Sequence, residues 1–207
     1  MHLYYMVFGV FFIYKTSSMY SAGNKGPNIR TVLPKIKSYT VFSKTFSGSF
    51  EIIPNTIFTA VPNMDEAFHV IQNTLFKITV QARIINQVGG ADHFLQVLVN
   101  GNLVIGNKIV PNNEKRVNFG LGPDIWGVDT TGGYFYSPNL LLGIPITRVS
   151  FIYLSPGTYR FDVGTRCVFN KVNFGSAIVT FELTQFEDEH QQSIGSYHLL
   201  NIPQNYN

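Results

Sequence analysis

The chain has 207 residues, 45% of them hydrophobic and only 13% charged, with a formal net charge of +3. A chain of this length buries a sizeable core without disulfide or metal staples, and so small a charge is too little to argue for nucleic acid, since duplex binding rests on a dense stripe of Lys and Arg. Charged residues average about 25% in soluble domains, so the low share points to surface covered by other copies or partners.

The first element is apolar. Leu3 to Tyr14 is nearly unbroken in hydrophobic character. It is too short to span a bilayer and has the length of a signal-peptide core. The alternative is an apolar arm packed on a neighbouring copy. Residues 1–23 are assigned to this segment, and no membrane span is expected in the mature form. The absence of any N-x-Ser/Thr sequon counts mildly against a eukaryotic secretory history. Six basic side chains and no acid precede Glu51, which reads as a mildly basic arm.

Strand signals follow, with weak ones at 38–43, 49–53 and 56–61. One stretch suggests a helix: Asn63 could cap Met64 to Asn73, with Asp65 and Glu66 in the first turn, where carboxylates are favoured. Val70 and Ile71 weigh against it. Phe76, Ile78, Val80, Ala82 and Ile84 then alternate with polar residues, as in a half-buried strand. Leu95, Val97 and Val99 do the same and run into Asn100-Gly101, a strong hairpin signal. Val117, Phe119 and Leu121 form a further set. Gly120 to Pro145 is the longest loop candidate and holds the single Trp, Trp126.

Val149, Phe151 and Tyr153 read as an apolar strand face. Residues 149–154 and 158–163 read as strand, tight turn, strand, with Pro156 pre-setting φ and Gly157 supplying the positive φ of a type II turn. Cys167 is the single cysteine, so no intrachain disulfide forms, and its strand-like context predicts a buried thiol. Ala177, Val179, Phe181 and Leu183 form the last long alternating set. Glu187 to Glu189 is a solvated acidic patch, and residues 191–207 read as a tail. The predicted architecture is all-β: a jelly-roll sandwich of about ten antiparallel strands over residues 24–190.

Four segments carry a family resemblance. "LFKITVQARI" at 75–84, "LQVLVNGNLV" at 95–104, "LSPGTYRFDVG" at 154–164 and "VNFGSAIVTFEL" at 172–183 occur in the order found in the C1q/TNF-like jelly rolls. The third resembles that family's L-x-x-G-D-x-V-x-V strand, with Thr158 where the family often has Asp. The first lacks the G-x-Y-x-F signature, and there is no collagen stalk. The resemblance implies a ten-stranded sandwich, usually a trimer, that binds rather than catalyses. Viral capsid and fibre jelly rolls share these features.

Chemistry is hard to find in this chain. His2, His69, His93, His190 and His198 have no metal-chelating spacing, and Cys167 has no Cys partner. Asp92-His93 could be half of an acid–base pair, but neighbouring strand residues point to opposite faces. No nucleophile elbow, zinc-protease motif or phosphate loop is present. No enzyme and no cofactor are expected. The most specific-looking feature is the 120–139 loop. Trp126 would anchor a partner protein or carbohydrate there, with Asp124, Asp129 and Tyr134 beside it, and the two Asp could supply oxygen ligands to calcium. The expected protein is a homo-oligomeric, trimeric binding head, secreted to the extracellular space. The alternatives are a virion shell or fibre subunit, and a jelly-roll carbohydrate-active enzyme.

Overall fold

The computed structural model describes residues 36–86, 89–106, 108–114, 129, 133–137 and 143–186. The expectations for residues 1–23, for the strand at 117–121 and for the tail at 191–207 lie outside these residues. Eleven strands occur among those described: β1 (Ile36–Ile52), β2 (Thr59–Ala60), β3 (Glu66–Val70), β4 (Thr74–Asn86), β5 (Ala91–Val99), β6 (Asn102–Ile105), β7 (Lys108–Val110), β8 (Tyr134–Ser137), β9 (Gly143–Leu154), β10 (Gly157–Val168) and β11 (Val172–Phe186). All pairings between them are antiparallel.

The first sheet has the order β1-β11-β4-β9. In the second, β2 and β3 lie on one side of β10, β5 on the other, and β6 with β7 continues beyond β5. The first strand therefore pairs with the last, and the chain alternates between sheets inward from both ends. This is a jelly roll, as the alternation patterns predict.

The core lies between the sheets. The inward set of β4, Phe76, Ile78, Val80, Ala82 and Ile84, is buried as its alternation requires. It meets Val97, Val99, Phe161 and Val163 from the second sheet. Four Phe rings form the centre: Phe68–Phe181 centroids are 5.2 Å apart and Phe76–Phe161 4.7 Å. Such pairs add about 0.5–1.5 kcal/mol each beyond the area they bury. Cys167 is buried in the same core, and its burial pushes the thiol up to about 11.

Three local expectations are corrected. Residues 63–73 form no helix. Asn63 sits at φ 59°, outside the helical region, and Glu66–Val70 is β3, laid against β10. Phe68 and Val70 alternate inward there, so the strand period wins over the capping signal. Gly157 is not among the residues with positive φ and begins β10. Ser155 and Pro156 carry the chain from β9 in one sheet to β10 in the other, so the link is a crossover and not a hairpin. It is pinned by the Tyr159 hydroxyl, which donates to the Ser155 carbonyl at 2.9 Å. Finally, Val149, Phe151 and Tyr153 face away from the core. The register with β4 sets Ile152 opposite Phe76 and turns Ile146, Ile152 and Leu154 inward.

Candidate functional site

Every residue of β5 is buried, on both faces. The inner face packs in the sandwich. The outer face carries Asp92, Phe94, Gln96 and Leu98, and among the described residues after β7 it is met by Asp129, Gly133 and Tyr134. A second apolar cluster fills that space: Phe58, Phe94, Leu98, Leu103, Ile105 and Val110. The long loop predicted from the sequence is therefore attached to the second sheet at described points.

Asp129 is one such point. Its side chain is fully buried and pairs with Arg166 of β10 at 2.5 Å. The guanidinium lies 4.0 Å from the Phe94 ring centroid and 5.6 Å from that of Phe58. Its Nη1 donates to the Asn55 carbonyl at 3.2 Å. The Asp129 carbonyl accepts from Gln96 Nε2 at 3.1 Å. Asp129 is thus held below the surface, with its carboxylate paired to Arg166. Among the described residues no group of three or more His, Cys, Asp or Glu could hold a metal ion.

Tyr134 is the other described member of the predicted site. Its hydroxyl donates to Asp92 Oδ1 at 2.6 Å, and the bond to that carboxylate pushes the phenol up to about 12. Its ring stays largely exposed, as does that of Tyr136, two residues along on the same face of β8. Asp124 and Trp126 lie outside the described residues. The structure therefore places Tyr134 on the surface and Asp129 beneath it. Sequence reasoning passed over Arg166 and Gln96 and weighed Asp92 only as a partner of His93; these are the groups that hold the segment. Their signal was only that polar residues occupy the outward positions of strands rich in apolar ones.

Asp92 and His93 diverge as strand geometry demands. Asp92 faces Tyr134. His93 faces the core, with Nε2 3.1 Å from Thr165 Oγ1.

A second candidate surface is the open face of the first sheet. The registers set four rows across it: Tyr39, Thr184, Leu75 and Tyr153; Val41, Glu182, Lys77 and Phe151; Ser43, Thr180, Thr79 and Val149; Thr45, Ile178, Gln81 and Thr147. Lys77 and Glu182 are the only charged residues among these positions, and they pair at 2.6 Å. The Tyr39 hydroxyl also donates to Glu182 at 2.6 Å. Lys77 first and Tyr39 second hold the Glu182 carboxyl below its usual range, while the same bond pushes the Tyr39 phenol up to about 12. Val41, Val149, Phe151 and Ile178 are 40–49% exposed.

No protein-family model and no curated protein matches the chain. Among solved structures it is similar to the VP2 subviral particle of infectious bursal disease virus, at 11% identity and a TM-score of 0.38. That likeness covers 80% of this chain and 37% of VP2, so the chain spans well under half of that relative. It is also similar to Eiger TNF from S. frugiperda, at 11% identity and a TM-score of 0.34, over 73% of this chain and 98% of that one. These likenesses are of fold and go no further.

Proposed function

We propose that this protein is a non-enzymatic interaction module, a jelly roll that assembles with copies of itself through the open face of its first sheet and meets a partner protein or glycan with its loops. The observation that carries the reading is that face. A soluble domain's free surface carries about 25–35% charged residues. Its four middle rows carry one neutralised pair among aliphatic, aromatic, hydroxyl and amide side chains, and the further charges, Arg83 and the Lys171–Glu51 pair, lie toward one end of the sheet. Such a surface loses little by leaving water and does not repel its own copy. The expected assembly is a trimeric, secreted head, with the ligand surface around Trp126, Asp124 and Tyr134. Asp129 supports that surface from below. The same face would serve a shell or fibre subunit in a virion. The native mass separates these readings. Light scattering at micromolar concentration is expected to report a trimer. A particle of many copies transfers the chain to the shell reading, and a stable monomer overturns self-assembly.

A further inference from the structure

We propose that His93 is an acid-sensitive switch in the sandwich, which weakens the β5–β10 strand pair, and with it the attachment of Asp129, Gly133 and Tyr134, as the surroundings become mildly acidic. His93 is fully buried on the inner face of β5. Its only described hydrogen bond is to Thr165. The Thr165 hydroxyl has one proton and also lies 3.3 Å from the Phe94 carbonyl, which can accept it. With that proton on the carbonyl, the imidazole donates from Nε2. Its Nδ1 is left as a buried lone pair without a hydrogen-bond partner. A proton added there would place a charge in an apolar interior with no acceptor to receive it.

The enclosing elements offer no counter-charge. On β10 the titratable residue set opposite His93 in the register is Cys167, kept neutral by burial. On β5 the Asp92 carboxylate points to the other face, toward Tyr134. Across the core, β4 and β11 present no charged residue inward. β9 presents Arg148, which is a cation, and β1 presents Lys44 at the rim, 3.8 Å from Glu66 of β3. Desolvation accordingly lowers the His93 pKa from 6.5 to about 3. The sign follows: the unfolded chain takes the proton below about 6.5 and the folded chain refuses it. Stability is full above that pH and falls as pH drops toward about 3.

The consequence reaches the outer face because the same two strands serve both faces. Thr165 and Cys167 alternate with Arg166, which holds Asp129. His93 and Leu95 alternate with Asp92 and Gln96, and the Leu95 amide donates to the Gly133 carbonyl at 2.8 Å.

The test is urea unfolding of the full chain from pH 7.5 to 5.0, comparing wild type with His93→Gln and His93→Leu. Amide exchange at Leu95 is followed in parallel. Relative to the variants, the wild-type folding constant is expected to fall about tenfold by pH 5.5 and about thirtyfold by pH 5.0, with Leu95 protection falling in step. Burial also pushes the Asp162 carboxyl above its usual range. Asp162→Asn is therefore run beside them and is expected to keep the His93-dependent loss. Equal pH slopes in wild type and the His93 variants overturn the proposal. If neither variant folds, imidazole NMR of wild type decides. A neutral Nε2–H ring persisting at pH 5 supports the switch, and protonation of the folded protein near pH 6.5 overturns it.

Discussion

Arg166 heads the largest fully buried side chains of the described structure, and its partners decide whether it stabilises the fold. Its charge is met by Asp129 and its flat faces by Phe94 and Phe58. Burying an ion pair is close to neutral against an apolar pair of similar volume, but removing one partner strands the other. Asp129→Asn is therefore expected to cost about 3–5 kcal/mol in urea unfolding. The double change Asp129→Leu with Arg166→Met is expected to recover much of that loss. A cost for Asp129→Asn below about 1 kcal/mol would show that the pair does not hold the segment. Asp129 also shows where a reading from sequence stops. In a Gly-rich stretch beside the only Trp, a carboxylate looks available to solvent. Its cation lies on a strand far along the chain, and no local pattern announces it.

At the level of single elements, legibility followed how many faces a strand buries. β4 was readable because one face is apolar and the other polar, as was the inward set of β11. In β9 both faces carry apolar residues, so alternation alone did not say which looked inward, and the pairing with β4 decided it. The all-round burial of β5 was likewise invisible before the covering cluster was seen. The Asn100-Gly101 hairpin was legible because its chemistry is local. Both residues take positive φ, 49° and 78°, and Asn100 is tied to Arg160 of β10 through its amide and its side-chain oxygen. At Gly101 a Cβ would meet nothing within 4 Å. A substitution there tests backbone conformation without steric clash. Gly101→Val is expected to lower stability by about 1–2 kcal/mol, the cost of left-handed backbone for an L side chain. Gly101→Asn is expected to cost less, because Asn tolerates that region. Equal costs for Val and Asn in chemical denaturation would count against this account.

For the whole molecule, the two sheets differ in what their outer faces do. The second is covered by its own chain through Asp129, Gly133 and Tyr134. Among the described residues no segment covers the first, with Phe151 at the end of the row Val41, Glu182, Lys77 and Phe151. In a lone subunit Phe151 is 45% exposed, so changing it should move folding stability by no more than about 0.5 kcal/mol. In an assembly built on this face, Phe151→Glu would bring an unpaired charge into a surface that must lose its water, beside the Lys77–Glu182 pair that now balances. The expected result is a folded subunit with wild-type circular dichroism and a native mass that drops toward the monomer. Phe161→Ala serves as the contrast. That ring is buried between Phe68, Phe76 and Phe181, and its loss should cost about 3–5 kcal/mol of folding stability. If Phe151→Glu leaves the native mass unchanged, the copies meet elsewhere, and the open sheet loses its assigned role.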